Sequence, residues 1–208
     1  MNRPASESGA AIGQGPSLIF RPANFFEPLR LKELFPMEQP LEIELGAGDG
    51  SFLAKYAAIH PQRNFIGVER LLGRLRKLDK KGRRAGLNNL RVVRIEAGYF
   101  VQYLLPPESV EAFHIYFPDP WPKRKHRPKR LINQSFTESA SRALQPGGTV
   151  YLRTDDRDYF KQMTAVFCAN PNFKQVDAPE ELACLLTDFE RGFQARGVPT
   201  NRAAFQRI

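Results

Sequence analysis

LEIELGAGDG, residues 41–50, places a short strand-like run, Leu41 to Leu45, directly before three glycines at alternate positions, Gly46, Gly48 and Gly50. A backbone without Cβ atoms turns tightly and lets a ligand approach closely. The spacing is G-x-G-x-G, which differs from the G-x-G-x-x-G of a dinucleotide site. Tight turns that bind nothing also use glycine, so the surroundings of this loop decide its meaning.

Further runs rich in Val, Ile, Leu and Phe follow at 64–68, 90–95, 111–117 and 148–153. Between them the apolar residues take helical spacing. Phe52, Leu53, Tyr56 and Ala57 make one stripe, Leu71, Leu75 and Leu78 a second, and Ile132, Phe136 and Ala140 a third. Pro146-Gly147-Gly148 is a strong break before the last run. Strand and helix in strict alternation predict an α/β fold, a parallel sheet with helices on both faces.

Ligands of such a sheet bind at the carboxyl ends of its strands. The residues that end or follow the runs are the glycine loop, Glu69, Glu96, Asp119 and Asp155. Any one acid there reads most simply as a cap for the next helix. A whole row of them at one edge predicts a cleft lined with acceptors for hydroxyl and amine groups. Glu69, ending the strand after the glycine loop, is suited to accept from both hydroxyls of a ribose.

Glu44, the Gly46/Gly48/Gly50 loop and Glu69 resemble the first two motifs of class I S-adenosylmethionine-dependent methyltransferases. The resemblance implies a Rossmann-like fold with a mostly parallel seven-stranded sheet. It also implies that the loop approaches the methionine part of S-adenosyl-L-methionine while Glu69 holds the ribose. Glu96, in RIEAG, matches the acidic position that reads the adenine amine, where relatives more often carry Asp. A nicotinamide cofactor is the alternative, disfavoured by the glycine spacing.

FPDPWPKRKHRPKR, residues 117–130, narrows this further. Pro118 and Pro120 restrict the backbone on either side of Asp119 and fix its carboxylate at the strand edge. Trp121 is suited to wall a pocket or stack on a base, and the cations from Lys123 to Arg130 suit an RNA backbone outside it. A solvated basic loop with a core tryptophan is the plainer reading. The stretch resembles the tRNA (guanine-N7-)-methyltransferase family. TDFE at 187–190 is similar to that family's C-terminal Thr-x-Phe-Glu signature, and RTDD at 153–156 to its acidic position after the fifth strand. The likeness runs from about residue 40 to residue 208.

That family transfers a methyl group to N7 of a tRNA guanine, in the variable loop. The resemblance implies that Asp119 orients the guanine, that Lys123 contacts the base or a nearby phosphate, and that Asp155, Thr187 and Glu190 complete the base-binding side. Pro128 interrupts a basic run that is more often unbroken in relatives, and it predicts a helix start delayed to about Lys129. The segment from Glu69 to Gly86 buries its leucines and leaves Arg70, Arg74, Lys77, Lys81 and Arg84 as a second basic surface.

Composition agrees. The chain has 208 residues and a net charge of +9, enough for one domain and suited to a polyanionic partner. Residues 1–16 read as a flexible polar tail, and 17–208 as a single methyltransferase domain. No apolar run approaches a membrane span and no signal-peptide pattern opens the chain, so a cytoplasmic protein without a membrane role is expected. Cys168 and Cys184 lie in apolar surroundings and read as buried thiols, a disulfide being the alternative. His60, His114 and His126 stand in unrelated contexts, so no metal is expected. Phe20, Phe25 and Phe26 are expected in the core. A monomer or a homodimer is open. Rival functions are methylation of a small molecule or of another RNA site, a non-catalytic RNA-binding relative, and aminopropyl transfer, whose cationic substrates a basic protein would repel.

Overall fold

Each apolar run becomes a strand in the computed structural model, which describes residues 15–208. The strands are β1 (Ile19–Phe20), β2 (Leu41–Leu45), β3 (Asn64–Val68), β4 (Leu90–Val93), β5 (Val110–Tyr116), β6 (Leu144–Thr154), β7 (Phe173–Val176) and β8 (Asn201–Arg207). They form one sheet in the order β1-β4-β3-β2-β5-β6-β8-β7. Every pairing is parallel except those of β8, which runs antiparallel to both β6 and β7. The expected α/β fold is borne out, with one strand more than the seven expected. The addition is β1, whose two residues pair with Val92 and Val93 at the edge. It is anchored from behind by Asp79, whose Oδ1 accepts from the Leu18 N–H at 2.7 Å.

Helices α1 (Leu53–Ile59) and α2 (Leu72–Arg84) cover one face. The other carries α3 (Ala97–Tyr99) with the π-helical turn Phe100–Leu104, then α4 (Gln134–Ala143) and α5 (Arg157–Cys168). Side chains alternate across a strand. Ile43 and Leu45 therefore join Phe100, Phe113, Phe136 and Tyr159 in one core, while Phe52, Leu53, Phe65, Leu75 and Leu78 build the other. Each fully buried Leu or Phe contributes about 1.5–3 kcal/mol of apolar burial. The alternation also puts Glu42 and Glu44 inside the protein, on the face of α1 and α2.

Between β7 and β8 the chain inserts α6 (Glu180–Cys184) and α7 (Asp188–Gln194). This excursion carries α7 to the carboxyl edge of the sheet, where the Asp188 N–H donates to Ser51 Oγ at 3.1 Å, just beyond the glycine loop.

Several local expectations need correction. The Pro146-Gly147-Gly148 break lies within β6: pairing jumps from Val110↔Leu144 to Ala112↔Thr149, and the residues between form a bulge. A Cβ at Gly148 would lie 2.9 Å from the Gln145 carbonyl oxygen, so the bulge needs glycine there. Pro128 falls inside a 3₁₀ turn, Arg124–Lys129, and α4 begins only at Gln134, capped by Asn133. Arg130 is extended, which delays the helix past Lys129. Leu71 precedes α2 and is exposed, leaving Leu75 and Leu78 to the stripe. Cys168 and Cys184 are exposed free thiols, each at the C-terminal end of a helix, so the burial expected of them fails and no disulfide joins them. Phe20 packs on the core, but Phe25 and Phe26 are exposed, because Asn24 turns the chain outward by accepting from the Phe26 and Glu27 N–H groups. The expected tail falls, up to residue 14, outside the described residues.

Candidate active site

A cleft of about 590 Å³ opens at the carboxyl ends of β2, β3, β4 and β5. Gly46, Glu69, Glu96, Tyr116 and Asp119 line it, together with Arg70, Arg74, Trp121 and Lys129.

Gly46 lines its floor, and Gly48 and Gly50 shape the loop behind it without lining the cleft. Gly46, Gly48 and Gly50 have φ of +83°, +56° and +75°, left-handed backbone that favours glycine. The Gly46 and Ala47 N–H groups both donate to the Val68 carbonyl at 2.9 Å, which ties the loop to β3. Two of the glycines answer different needs. At Gly50 a Cβ would lie 2.2 Å from Leu78 Cδ1, so the loop presses on α2. At Gly46 a Cβ would meet nothing within 4 Å and would occupy cleft space.

Glu69 fastens this loop to α2. Its Oε2 accepts from the Gly48 N–H at 3.0 Å and its Oε1 from the Leu71 N–H at 2.7 Å. Each carboxylate oxygen keeps a second lone pair for a ligand. Asp49 receives the Lys81 ammonium at 2.8 Å. Burial pushes the Asp49 carboxyl up, but hydrogen bonding and charge from Lys81 outweigh it and leave it below the usual range. Lys81 is thus committed to the loop, against the expectation that it belongs to a free basic surface.

Glu44 lies beneath the loop, and its buried Oε2 has no hydrogen-bond partner. Burial pushes its carboxyl well above the usual carboxylate range; Arg153 pulls it down, while Asp49 and Glu69 add to the rise. A buried orphan acceptor next to an open glycine cradle fits a ligand that brings a cationic donor, as the methionine part of S-adenosylmethionine does.

The FPDPW segment forms the opposite wall. Phe117 and Trp121 have φ of +52° and +44°, left-handed backbone in two bulky residues. Such positions persist only where the surroundings over-determine them. The Phe117 N–H donates to the Arg153 carbonyl at 2.8 Å, and the Pro120 carbonyl accepts from Arg130 Nε at 2.7 Å. Asp119 is exposed between these tethers and faces the cleft. Lys129 Nζ lies 5.0 Å over the Trp121 ring, and His126 meets its edge.

The remaining acids divide. Glu96 caps α3, accepting from the Gly98 and Tyr99 N–H groups at 2.9 and 2.7 Å. Asp156 caps α5. Asp155, after β6, and Lys123, exposed before the 3₁₀ turn, lie outside the cleft lining. Thr187 caps α7, its Oγ1 accepting from the Glu190 N–H at 3.0 Å. Glu190 is fully buried between Arg153 at 2.9 Å and Arg202 at 2.5 Å, so its oxygens are spent inside the protein.

Sequence reasoning missed the two arginines that organise this region. Arg153 is buried; it donates to the Leu185 carbonyl and stacks 4.1 Å from the Tyr116 ring. Its signal was available, since an arginine in the otherwise apolar run TVYLRT needs a buried partner. Arg130 is buried too, which corrects its placement among the cations outside the pocket. His114 is also buried, between Glu42 at 2.6 Å and Tyr116 at 2.9 Å. Among the described residues no helix is long and apolar enough to cross a membrane, and no group of three or more His, Cys, Asp or Glu could hold a metal ion.

Comparison with known proteins adds to this geometry. A family model described as "Putative methyltransferase" matches residues 38–203. The chain is 34% identical over 183 residues to a tRNA (guanine-N(7)-)-methyltransferase of Thermotoga maritima, covering 86% of this chain and 58% of that protein. It is 31% identical over 179 residues to one of Alkalilimnicola ehrlichii, covering 86% of this chain and 76% of that protein. The chain therefore spans less than two thirds of the first relative's length and about three quarters of the second's. Among solved structures, the 16S rRNA methyltransferase KamB is similar with a TM-score of 0.60 at 16% identity, covering 85% of this chain and 91% of that one. At that identity the likeness is one of fold.

Proposed function

From the premise that this chain belongs to the tRNA (guanine-N(7)-)-methyltransferase family, we propose that it transfers the methyl group of S-adenosylmethionine to N7 of a tRNA guanine, the one in the variable loop, leaving 7-methylguanosine and S-adenosylhomocysteine. The observation that carries this reading is the meeting, in one cleft, of the glycine loop and the tethered Asp119 turn.

Gly46, Gly48, Gly50 and Glu44 hold the methionine part, with Glu69 taking the ribose and Glu96 the adenine end. When bound, S-adenosylmethionine supplies an electrophilic methyl group on a sulfonium. The chain's own task is then positioning. Guanine N7 has an available lone pair and no proton, so no strong general base is asked of the protein. Asp119 accepts from the guanine N1–H or exocyclic amine and turns N7 toward the cofactor side. Its fixed negative charge also favours the cationic purine that develops. Lys123 and the exposed cations after it receive the RNA backbone. Asp155 and Thr187 stand on the base side, and Glu190 acts through Arg153.

The test is methyl transfer from labelled S-adenosylmethionine to unmodified tRNA, wild type beside Asp119→Ala, with products mapped by cleavage at 7-methylguanosine. Label at a single guanine is expected, falling about 10²-fold or more in the variant while cofactor binding persists. Cofactor binding without label on tRNA would overturn the assignment.

A further inference from the structure

We infer that Arg130 is a positioning residue that holds the Asp119 turn in its working shape, and that it makes no contact with RNA. This rests on the function proposed above. The residue ends a run of cations, yet its side chain is 1% exposed. Its guanidinium is used on three sides: Nε donates to the Pro120 carbonyl, one terminal nitrogen to Gln162 Oε1 and the other to Asp158 Oδ2, each at 2.7 Å. Its flat face lies 4.8 Å over the ring of Tyr159. Tyr159 is itself fixed, its hydroxyl accepting from the Ile132 N–H at 2.9 Å. Helix α5 thus presents Asp158, Tyr159 and Gln162 as a cradle, and the arginine held in it reaches out to one carbonyl.

That carbonyl matters because of its place. It belongs to the peptide between Pro120 and Trp121, and Trp121 has φ of +44°. Pro120 has no N–H to offer the turn. A bulky residue in left-handed backbone stays there only if something fixes the peptide before it. Arg130 supplies that restraint on one side of Asp119, as the Arg153 carbonyl does on the other by accepting from the Phe117 N–H at 2.8 Å. Lysine cannot reproduce the planar fork that meets three acceptors at once.

The neighbouring Arg127 makes the contrast. It shares Asp158 Oδ2 with Arg130, at 3.0 Å, but its side chain is half exposed and can exchange the carboxylate for a phosphate. Arg130 has no face left for one.

The experiment compares Arg130→Lys, Asp158→Asn and the exposed-residue variant Lys125→Gln in the full chain. The readouts are kcat, KM for tRNA, the salt dependence of tRNA binding, affinity for S-adenosylmethionine, and emission of Trp121, the only tryptophan. Arg130→Lys is expected to lower kcat at saturating tRNA by about 10²-fold, the scale of a misplaced reacting group. Its Trp121 emission should shift, with cofactor affinity and salt slope unchanged. Asp158→Asn, at a half-exposed site that puts the fold at little risk, should lower kcat in the same direction by less, while tRNA binding tightens as Arg127 is released. Lys125→Gln should do the reverse, raising KM and flattening the salt slope at constant kcat. Behaviour of Arg130→Lys like that of Lys125→Gln would overturn the inference, as would unchanged kcat and emission in both Arg130→Lys and Asp158→Asn. A wild type that methylates no tRNA, with the emission shift intact, would sink the proposed function and leave the turn restraint standing.

Discussion

Glu190, fully buried, closes an ion pair with Arg153 at 2.9 Å and takes Arg202 on its other oxygen at 2.5 Å. Arg153 in turn bonds the Leu185 carbonyl and stacks on Tyr116, a residue of the cleft. The pair therefore connects α7 to the cleft lining at Tyr116. A buried ion pair is poor evidence for net stability, but breaking one leaves a charge with nothing to meet it.

Glu190→Gln should cost about 3 kcal/mol or more, because it leaves two guanidinium groups facing a neutral amide. For a chain of this size that is a fall of roughly 10 °C in Tm. Thermal unfolding of the purified variant checks it. An unchanged Tm together with lost methyl transfer would make Glu190 a direct substrate contact.

The loop glycines should separate stability from binding. Gly50→Ala drives a Cβ to 2.2 Å from Leu78 Cδ1 in backbone with φ of +75°, so overpacking adds to strain. A loss of about 2–4 kcal/mol is expected from the two together. Gly46→Ala has the strain without the clash, since nothing lies within 4 Å of its Cβ. It should lose only about 1–2 kcal/mol of stability but weaken S-adenosylmethionine binding much more than Gly50→Ala does at equal folded fraction. Calorimetric titration beside denaturant unfolding would read both. Equal effects on affinity would mean that Gly46 does not face the cofactor.

These contrasts mark where the sequence was legible. Strand positions were, because β2 and β3 are buried on both faces: β3 is apolar almost throughout, and β2 is broken only by the buried Glu42 and Glu44. The sheet-edge acids were legible as a row but not in their roles. Glu69 binds backbone with both oxygens and still lines the cleft, Glu96 also serves as the helix cap that any single acid predicts, and after β6 the cap is Asp156 while Asp155 lies outside the cleft lining. Arg130 was not legible at all. Its acceptors Asp158 and Gln162 stand on α5, beyond the whole of α4, and no local pattern tells a buried arginine from the exposed ones before it. Phe25 and Phe26 failed for a related reason: a turn set by Asn24 decides their side, and composition does not report it.

Lys123 should act through charge alone. Exposed and unpaired among the described residues, it has nothing to lose on mutation except its contact with a polyanion. Lys123→Ala should leave Tm within about 1 °C, as surface changes usually do. It should weaken tRNA binding and reduce the slope of log affinity against log salt by about 1. Filter binding over a salt series checks it. An unchanged slope with a lower kcat would place the lysine on the base instead of a phosphate.

Glu44 should give the protein a pH dependence that its cofactor reverses. Burial holds its carboxyl well above the range it has in the unfolded chain, with Arg153 only partly opposing. Between the unfolded and folded pKa values the native state therefore binds more protons than the unfolded one. Stability that is present at low pH is lost as pH rises through that window, with a slope approaching about 1.4 kcal/mol per pH unit. Glu44→Gln removes the titration, so the ligand-free variant should be more stable than wild type at and above neutral pH and flatter across the window. The same substitution removes the negative charge that a cationic donor would meet. Wild-type affinity for S-adenosylmethionine should accordingly rise with pH through the window, and that of Glu44→Gln should be lower and nearly level. Unfolding and cofactor titrations from pH 5 to 9 read both effects on one pair of proteins. A variant that is less stable at every pH, with affinity unchanged, would show that the orphan carboxyl serves the fold and not the ligand.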